Sequence, residues 1–139
     1  MPGPPGGAFR ILVVDDDEDN RELFQLVLVH AGYDVVTASG GREALARLSE
    51  IPTDLALLDV MMQDMNGFDL AEKIRANPAI SDVRILMVTA LDDRHVRARA
   101  LGAGADDLIH KPVSRHDLCT RVAALLTIVR WPPSAAPAA

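Results

Sequence analysis

Asp59 closes the apolar run Leu55-Ala56-Leu57-Leu58 and leads into Val60-Met61-Met62 and a polar loop ending at Gly67. A short apolar run bounded by polar residues reads as a strand buried on both faces of a parallel sheet, and a carboxylate at its carboxyl end lies where such sheets bind ligands. A second run, Ile11 to Val14, breaks into Asp15-Asp16-Asp17-Glu18-Asp19. The last three of these need be no more than a helix N-terminus favoured by the macrodipole. Asp15 and Asp16 stand at the strand end itself, and they face Asp59 if the first and third strands are neighbours. Three like charges that close raise one another's pKa unless a cation or donors compensate them, and Mg2+ bound by carboxylates, a carbonyl and waters is the economical solution. Two more strand ends carry Thr89-Ala90 and His110-Lys111-Pro112. A carboxylate nucleophile, a metal nest, a hydroxyl and an ammonium can together accept a phosphoryl group, a transfer that needs mainly positioning and charge neutralisation.

The elements that must position these residues are legible as alternating patterns. Strand-like runs fall at Ile11 to Val14, Val35 to Thr37, Leu55 to Leu58, Ile85 to Val88 and Leu108 to Ile109. Between them, Leu23, Val27 and Ala31, beside Phe24 and Leu28, predict a core-facing helical stripe started by Asp17 or Asp19 and stopped at Gly32. Ala44, Leu45 and Leu48 mark a second helix; Leu70, Ala71 and Ile74 a third; Val96, Ala100 and Leu101 a fourth; and Leu118, Val122, Leu125 and Val129 a fifth. Strict alternation of strand and helix predicts an α/β fold, a parallel sheet with helices on both faces joined by right-handed crossovers.

Composition narrows the function classes. The 139 residues suit one domain, and 49% hydrophobic residues can fill a core. A net charge of -6 opposes direct binding to nucleic acid or to an anionic membrane. One cysteine, Cys119, cannot form an internal disulfide and is expected as a small core residue. No apolar run approaches the roughly 20 residues of a membrane span, and Met1 to Phe9 lacks the pattern of a secretion signal, so a cytoplasmic setting is expected. Residues 1–9 and 131–139 are rich in Pro with Gly or Ala and read as a tail and a tail or linker, leaving 10–130 as the folded unit.

Taken in order and spacing, Val14-Asp15-Asp16, Leu58-Asp59-Val60-Met61-Met62 with Gly67, Val88-Thr89-Ala90 and Lys111-Pro112 resemble the receiver domain of two-component response regulators. The resemblance implies a doubly wound, flavodoxin-like sheet of order 2-1-3-4-5. It implies that Asp59 is the phosphoacceptor, Asp16 a direct Mg2+ ligand, and Asp15 a ligand acting mostly through water. The Met61 carbonyl completes the set. Thr89 is then the switch hydroxyl, Lys111 the group that binds the phosphoryl, and Lys111-Pro112 a cis bond. The implied partners are a sensor histidine kinase or phosphotransfer protein and a downstream effector, with a phosphorylation-dependent homodimer compatible with both. Such a domain is no independent enzyme, although it assists its own phosphorylation and dephosphorylation. An aspartate-nucleophile phosphatase would want a carboxylate where Met61 stands. A phosphorylation-independent interaction module is the other alternative, raised by Leu108, which occupies the place of the family's usual aromatic. Gln63 and Asn66 depart from the usual proline and aspartate.

Overall fold

The structure, a computed structural model, describes residues 8–127. Five strands, β1 (Arg10–Val14), β2 (Asp34–Ala38), β3 (Leu55–Asp59), β4 (Arg84–Thr89) and β5 (Asp107–His110), alternate with α1 (Glu18–His30), α2 (Gly41–Glu50), α3 (Gly67–Ala76), α4 (Val96–Gly102) and α5 (Arg115–Thr127). All strand pairs are parallel, in the order β2-β1-β3-β4-β5. The expected doubly wound α/β sheet is therefore present, and each strand extends the expected apolar run by one residue at one or both ends.

Side chains alternate across the sheet as a period of two requires. Leu12, Val14, Ala56, Leu58, Ile85, Met87 and Leu108 join α2, α3 and α4 in one core. Ile11, Val13, Leu55, Leu57, Leu86, Val88 and Ile109 join α1 and α5 in the other. β3 is buried along its whole length, which is why its sequence is uninterrupted apolar up to the aspartate. Phe9, which the sequence counts with the tail, packs against the second core, and its carbonyl accepts from the Asp34 amide. Residues 1–7 and 131–139 of the two tails, and Val129 of the fifth stripe, lie outside the described residues.

The stripe expected on α1 is corrected. Phe24 and Leu28 are its core residues, whereas Leu23 is 56% exposed, Val27 only half-buried and Ala31 exposed at the C-cap. Adjacent i, i+4 rows lie about 100° apart on a helix, so only one can face the sheet, and the row with Phe24 removes more apolar area from water. The same geometry leaves Leu101 of α4 exposed while Val96 and Ala100 are buried. It also turns Cys119, next to inward-facing Leu118, to a half-buried position rather than the core. Asp17 is the N-cap of α1, accepting from the Asp19 amide at 2.9 Å, and Gly32 adopts a φ of 102° just after the last turn.

Asn66 caps α3 through a bond to the Asp69 amide of 2.8 Å, so the departure from aspartate keeps the capping function. Removing it with Asn66→Ala is expected to cost about 1 kcal/mol in urea denaturation, without altering the sheet.

Candidate functional site

Parallel pairing of β1 with β3 places Val14 opposite Leu58, so the chain leaves both strands at the same level and Asp15 and Asp16 emerge beside Asp59. One carboxylate oxygen from each of the three lies within 4.8 Å of the other two. The β3–β4 pair sets Asp59 opposite Val88, and the β4–β5 pair sets Thr89 opposite His110, which delivers Thr89 and Lys111 to the same edge. Lys111 Nζ stands 3.5 Å from Asp59 Oδ1, and the Lys111-Pro112 bond is cis, as the resemblance implies.

The environment strains these carboxylates electrostatically. Asp15 is 1% exposed; its Oδ1 accepts from the Asp17 amide at 2.9 Å, but Oδ2 is buried with no hydrogen-bond partner. Burial is the main cause that lifts its pKa to about 6, with the charges of Asp59 and Asp16 adding to it, while the Asp17 amide and Lys111 oppose. Asp59 is also held above the usual carboxylate range by burial, offset in part by the Lys111 ammonium and the Met61 amide. Asp16 is solvent-exposed and accepts from the Gln63 amide at 3.1 Å.

A buried anionic oxygen without a donor, flanked by two more carboxylates, fits a hard divalent cation bound through oxygen. For Mg2+, Asp15, Asp16 and Asp59 would supply the carboxylates. Met61 lies two residues past Asp59 at the same sheet edge and is 59% exposed.

Thr89 is fully buried; its hydroxyl oxygen accepts from the Leu91 amide at 3.0 Å, and its carbonyl accepts from the Lys111 amide at 2.8 Å. It is thereby tied both to β5 and to the loop that enters α4. Leu108 is 2% exposed and packed in the core shared by α2, α3 and α4. On α4, Arg97 pairs with Asp107 at 3.3 Å and Arg99 lies 4.3 Å over the Phe68 ring.

Three supporting contacts were not read from the sequence. Arg21 donates to the Asp15 carbonyl at 2.8 Å, the Gln63 amide holds Asp16, and Asp64 binds the start of α2. The second and third join segments distant in the chain that only the fold brings together, and no local spacing announces them. A β-carbon on Gly67 would meet the Asp59 carbonyl at 2.8 Å, which gives the motif glycine its role in letting α3 start close under the aspartate.

A doubly wound parallel sheet with an acidic triad, a hydroxyl and a lysine on one carboxyl edge is the arrangement of a receiver-type signalling domain. Comparison with known proteins agrees: residues 11–123 match the model of the response regulator receiver domain, and the chain belongs to that family of two-component systems. Among curated proteins it is 41% identical over 116 residues to the transcriptional regulatory protein GltR of Pseudomonas aeruginosa, covering 84% of this chain and 48% of that protein. It is 40% identical over 117 residues to the alkaline phosphatase synthesis transcriptional regulatory protein PhoP of Bacillus subtilis, again covering 84% of this chain and 48% of the relative. The chain thus spans about half the length of these two relatives. Among solved structures, a response regulator from Chloroflexus aurantiacus superposes with a TM-score of 0.83 at 34% identity, over 87% of this chain and 99% of that one. The chemotaxis protein CheY4 of Vibrio cholerae gives 0.81 at 30% identity, over 85% and 98%. Among the described residues no helix is long and apolar enough to cross a membrane.

Proposed function

We propose that this domain is a phosphorylation-dependent switch in which Asp59 accepts a phosphoryl group from the phosphohistidine of a sensor kinase or phosphotransfer protein, with Mg2+ held by Asp15, Asp16, Asp59 and the Met61 carbonyl. The observation that carries this reading is the buried, unpartnered Oδ2 of Asp15 within a three-carboxylate cluster that also faces an ammonium. When bound, Mg2+ would neutralise charge on the transferring group. In the transfer, an Asp59 oxygen forms the new bond to phosphorus as the bond from phosphorus to the donor nitrogen breaks, and the departing imidazole takes its proton from solvent. Lys111, already beside Asp59, orients toward the negative oxygens of the incoming group. Hydrolysis reverses the acceptor's state: water attacks phosphorus, the bond to Asp59 breaks, and the carboxylate and inorganic phosphate are released. The domain is an acceptor that assists both steps, not an enzyme turning over a separate substrate.

Thr89 supplies the coupling. Its hydroxyl proton can be donated to a phosphoryl oxygen, drawing the loop through Leu91 toward Asp59 and shifting α4. Leu108 is already packed inward, so the route to the output face runs through this loop and α4 rather than through reorientation of a large ring on β5. The downstream partner is an effector protein or domain in a cytoplasmic setting, and a homodimer formed on phosphorylation is one form of output.

Intact mass spectrometry after incubation with acetyl phosphate tests the reading. A gain of one phosphoryl group is expected with Mg2+ in the wild type and not with a chelator or in Asp59→Asn. Absence of the gain in a folded wild type that binds Mg2+ would overturn it.

A further inference from the structure

The loop that follows Asp59 does not rest on the sheet alone. The N-cap of α2 is Gly40, which has no side chain to satisfy the first amides of the helix. Those amides are satisfied from elsewhere: Asp64 Oδ1 accepts from Gly41 and Asp64 Oδ2 accepts from Arg42, both at 3.0 Å. Glu43 reaches back to the Ser39 amide at 2.6 Å, so the start of α2 is held on one side by its own third residue and on the other by the β3–α3 loop. The two amides of α2 hold the Asp64 carboxyl below its usual range, as expected for a carboxylate at a helix N-terminus.

The two segments are also fitted sterically. A β-carbon on Gly41 would stand 2.3 Å from Cγ of Met65, and one on Gly40 would stand 2.9 Å from Asp64 Oδ1. The glycine pair therefore permits the loop to lie directly against the helix end. On the other side of this contact the Gln63 amide, one residue before Asp64, holds Asp16. The chain from Asp59 to Met65 is consequently fixed at its start by β3 and near its end by α2. Gln63 stands where the family's proline would otherwise stiffen it, so the constraint comes from a contact in space rather than from a fixed φ.

We infer that Asp64 is a positioning residue: by capping α2 from the neighbouring loop, it fixes the Val60–Met65 segment so that Met61 and the Gln63–Asp16 contact hold the acidic cluster in its metal-binding arrangement. This rests on the Mg2+ reading proposed above. It assigns to the α2 terminus a role in the phosphoacceptor site, although Asp64 touches neither the cation ligands nor the transferred group.

A helix cap and a loop anchor make different predictions, and two variants separate them. Asp64→Ala removes both. Asp64→Ala combined with Gly40→Ser restores a cap from within α2 while leaving the loop unanchored; Gly40 is extended, a conformation a serine adopts, and the clash with Asp64 is gone. Calorimetric titration with Mg2+ alone and amide hydrogen exchange of residues 60–66 are read on the whole chain. The expected result is a Mg2+ Kd raised about tenfold in both variants, the scale seen when an outer partner of a metal site is lost. Exchange of the loop is faster in both, whereas protection of residues 41–44 returns in the double variant. Wild-type affinity in Asp64→Ala overturns the inference, and so does recovery of affinity in the double variant, which would make Asp64 a helix cap only. A wild type that gives no Mg2+ heat would overturn the metal reading and this role with it, an outcome recognised before either variant is made.

Discussion

With Asp15 replaced by asparagine, the domain freed of divalent cations is expected to be more stable than the wild type near neutral pH, and Mg2+ is expected to stabilise it much less than the wild type. Asp15 is nearly inaccessible and one of its oxygens has no partner, so the folded protein carries an ionised group in a place that favours the neutral form. Its pKa of about 6 in the fold compares with an ordinary value of 3.8. At roughly 1.4 kcal/mol per pKa unit, ionising it costs the fold about 2–3 kcal/mol. Asparagine keeps an oxygen for the Asp17 amide and carries no charge.

The sign of the pH dependence follows from the direction of the shift. The folded pKa lies above the unfolded one, so between them the folded state holds more protons and stability falls as pH rises. Below the ordinary value of 3.8 both states are protonated and the cost is absent; above about 6 it is fully present. Urea denaturation of the two proteins in a chelator should therefore coincide near the acidic limit, diverge in favour of Asp15→Asn between about pH 4 and pH 6, and run parallel above. Adding Mg2+ at 100 times its Kd should raise the wild type by about 2.7 kcal/mol and the variant by much less. A variant that is less stable than wild type in chelator near neutral pH would contradict the burial of an uncompensated charge.

Thr89→Ala separates acceptance of the phosphoryl group from the response to it. The hydroxyl lies at the sheet edge with Asp59 but is not the attacking atom, so the mass gain with acetyl phosphate and Mg2+ is expected to persist. The conformational response is expected to fall by about 10- to 100-fold in its equilibrium constant, because a hydrogen bond to a charged group contributes roughly 1.5–3 kcal/mol. That is a large share of the approximately 5.5 kcal/mol needed to move a switch from 1:99 to 99:1. Thr89→Ser keeps the hydroxyl and should respond as the wild type does. Amide hydrogen exchange across residues 91–102, with and without acetyl phosphate, measures this directly. If that segment changes equally in Thr89→Ala and wild type, coupling through the threonine is wrong.

Pattern along the chain specifies the strands, the core faces of α2, α3 and α5 within the described residues, and Asp15, Asp16, Asp59, Thr89 and Lys111 as the residues to bring together. These were legible because parallel strands buried on both faces must be continuous apolar runs, and because a fold of this class exposes chemistry only where such runs stop. The sequence could not decide which of two adjacent rows on α1 meets the sheet, since Leu23 and Phe24 are both apolar and only the available space on the sheet prefers the larger ring. Nor could it reveal that Arg21 secures the Asp15 carbonyl, that Asp15 keeps a buried oxygen without a donor, or that Asp64 completes a helix 22 residues before it in the chain. Periodicity reports the neighbours a residue has along its own element. Contacts between the ends of different elements depend on strand order and register, and only the tertiary structure brings those ends together.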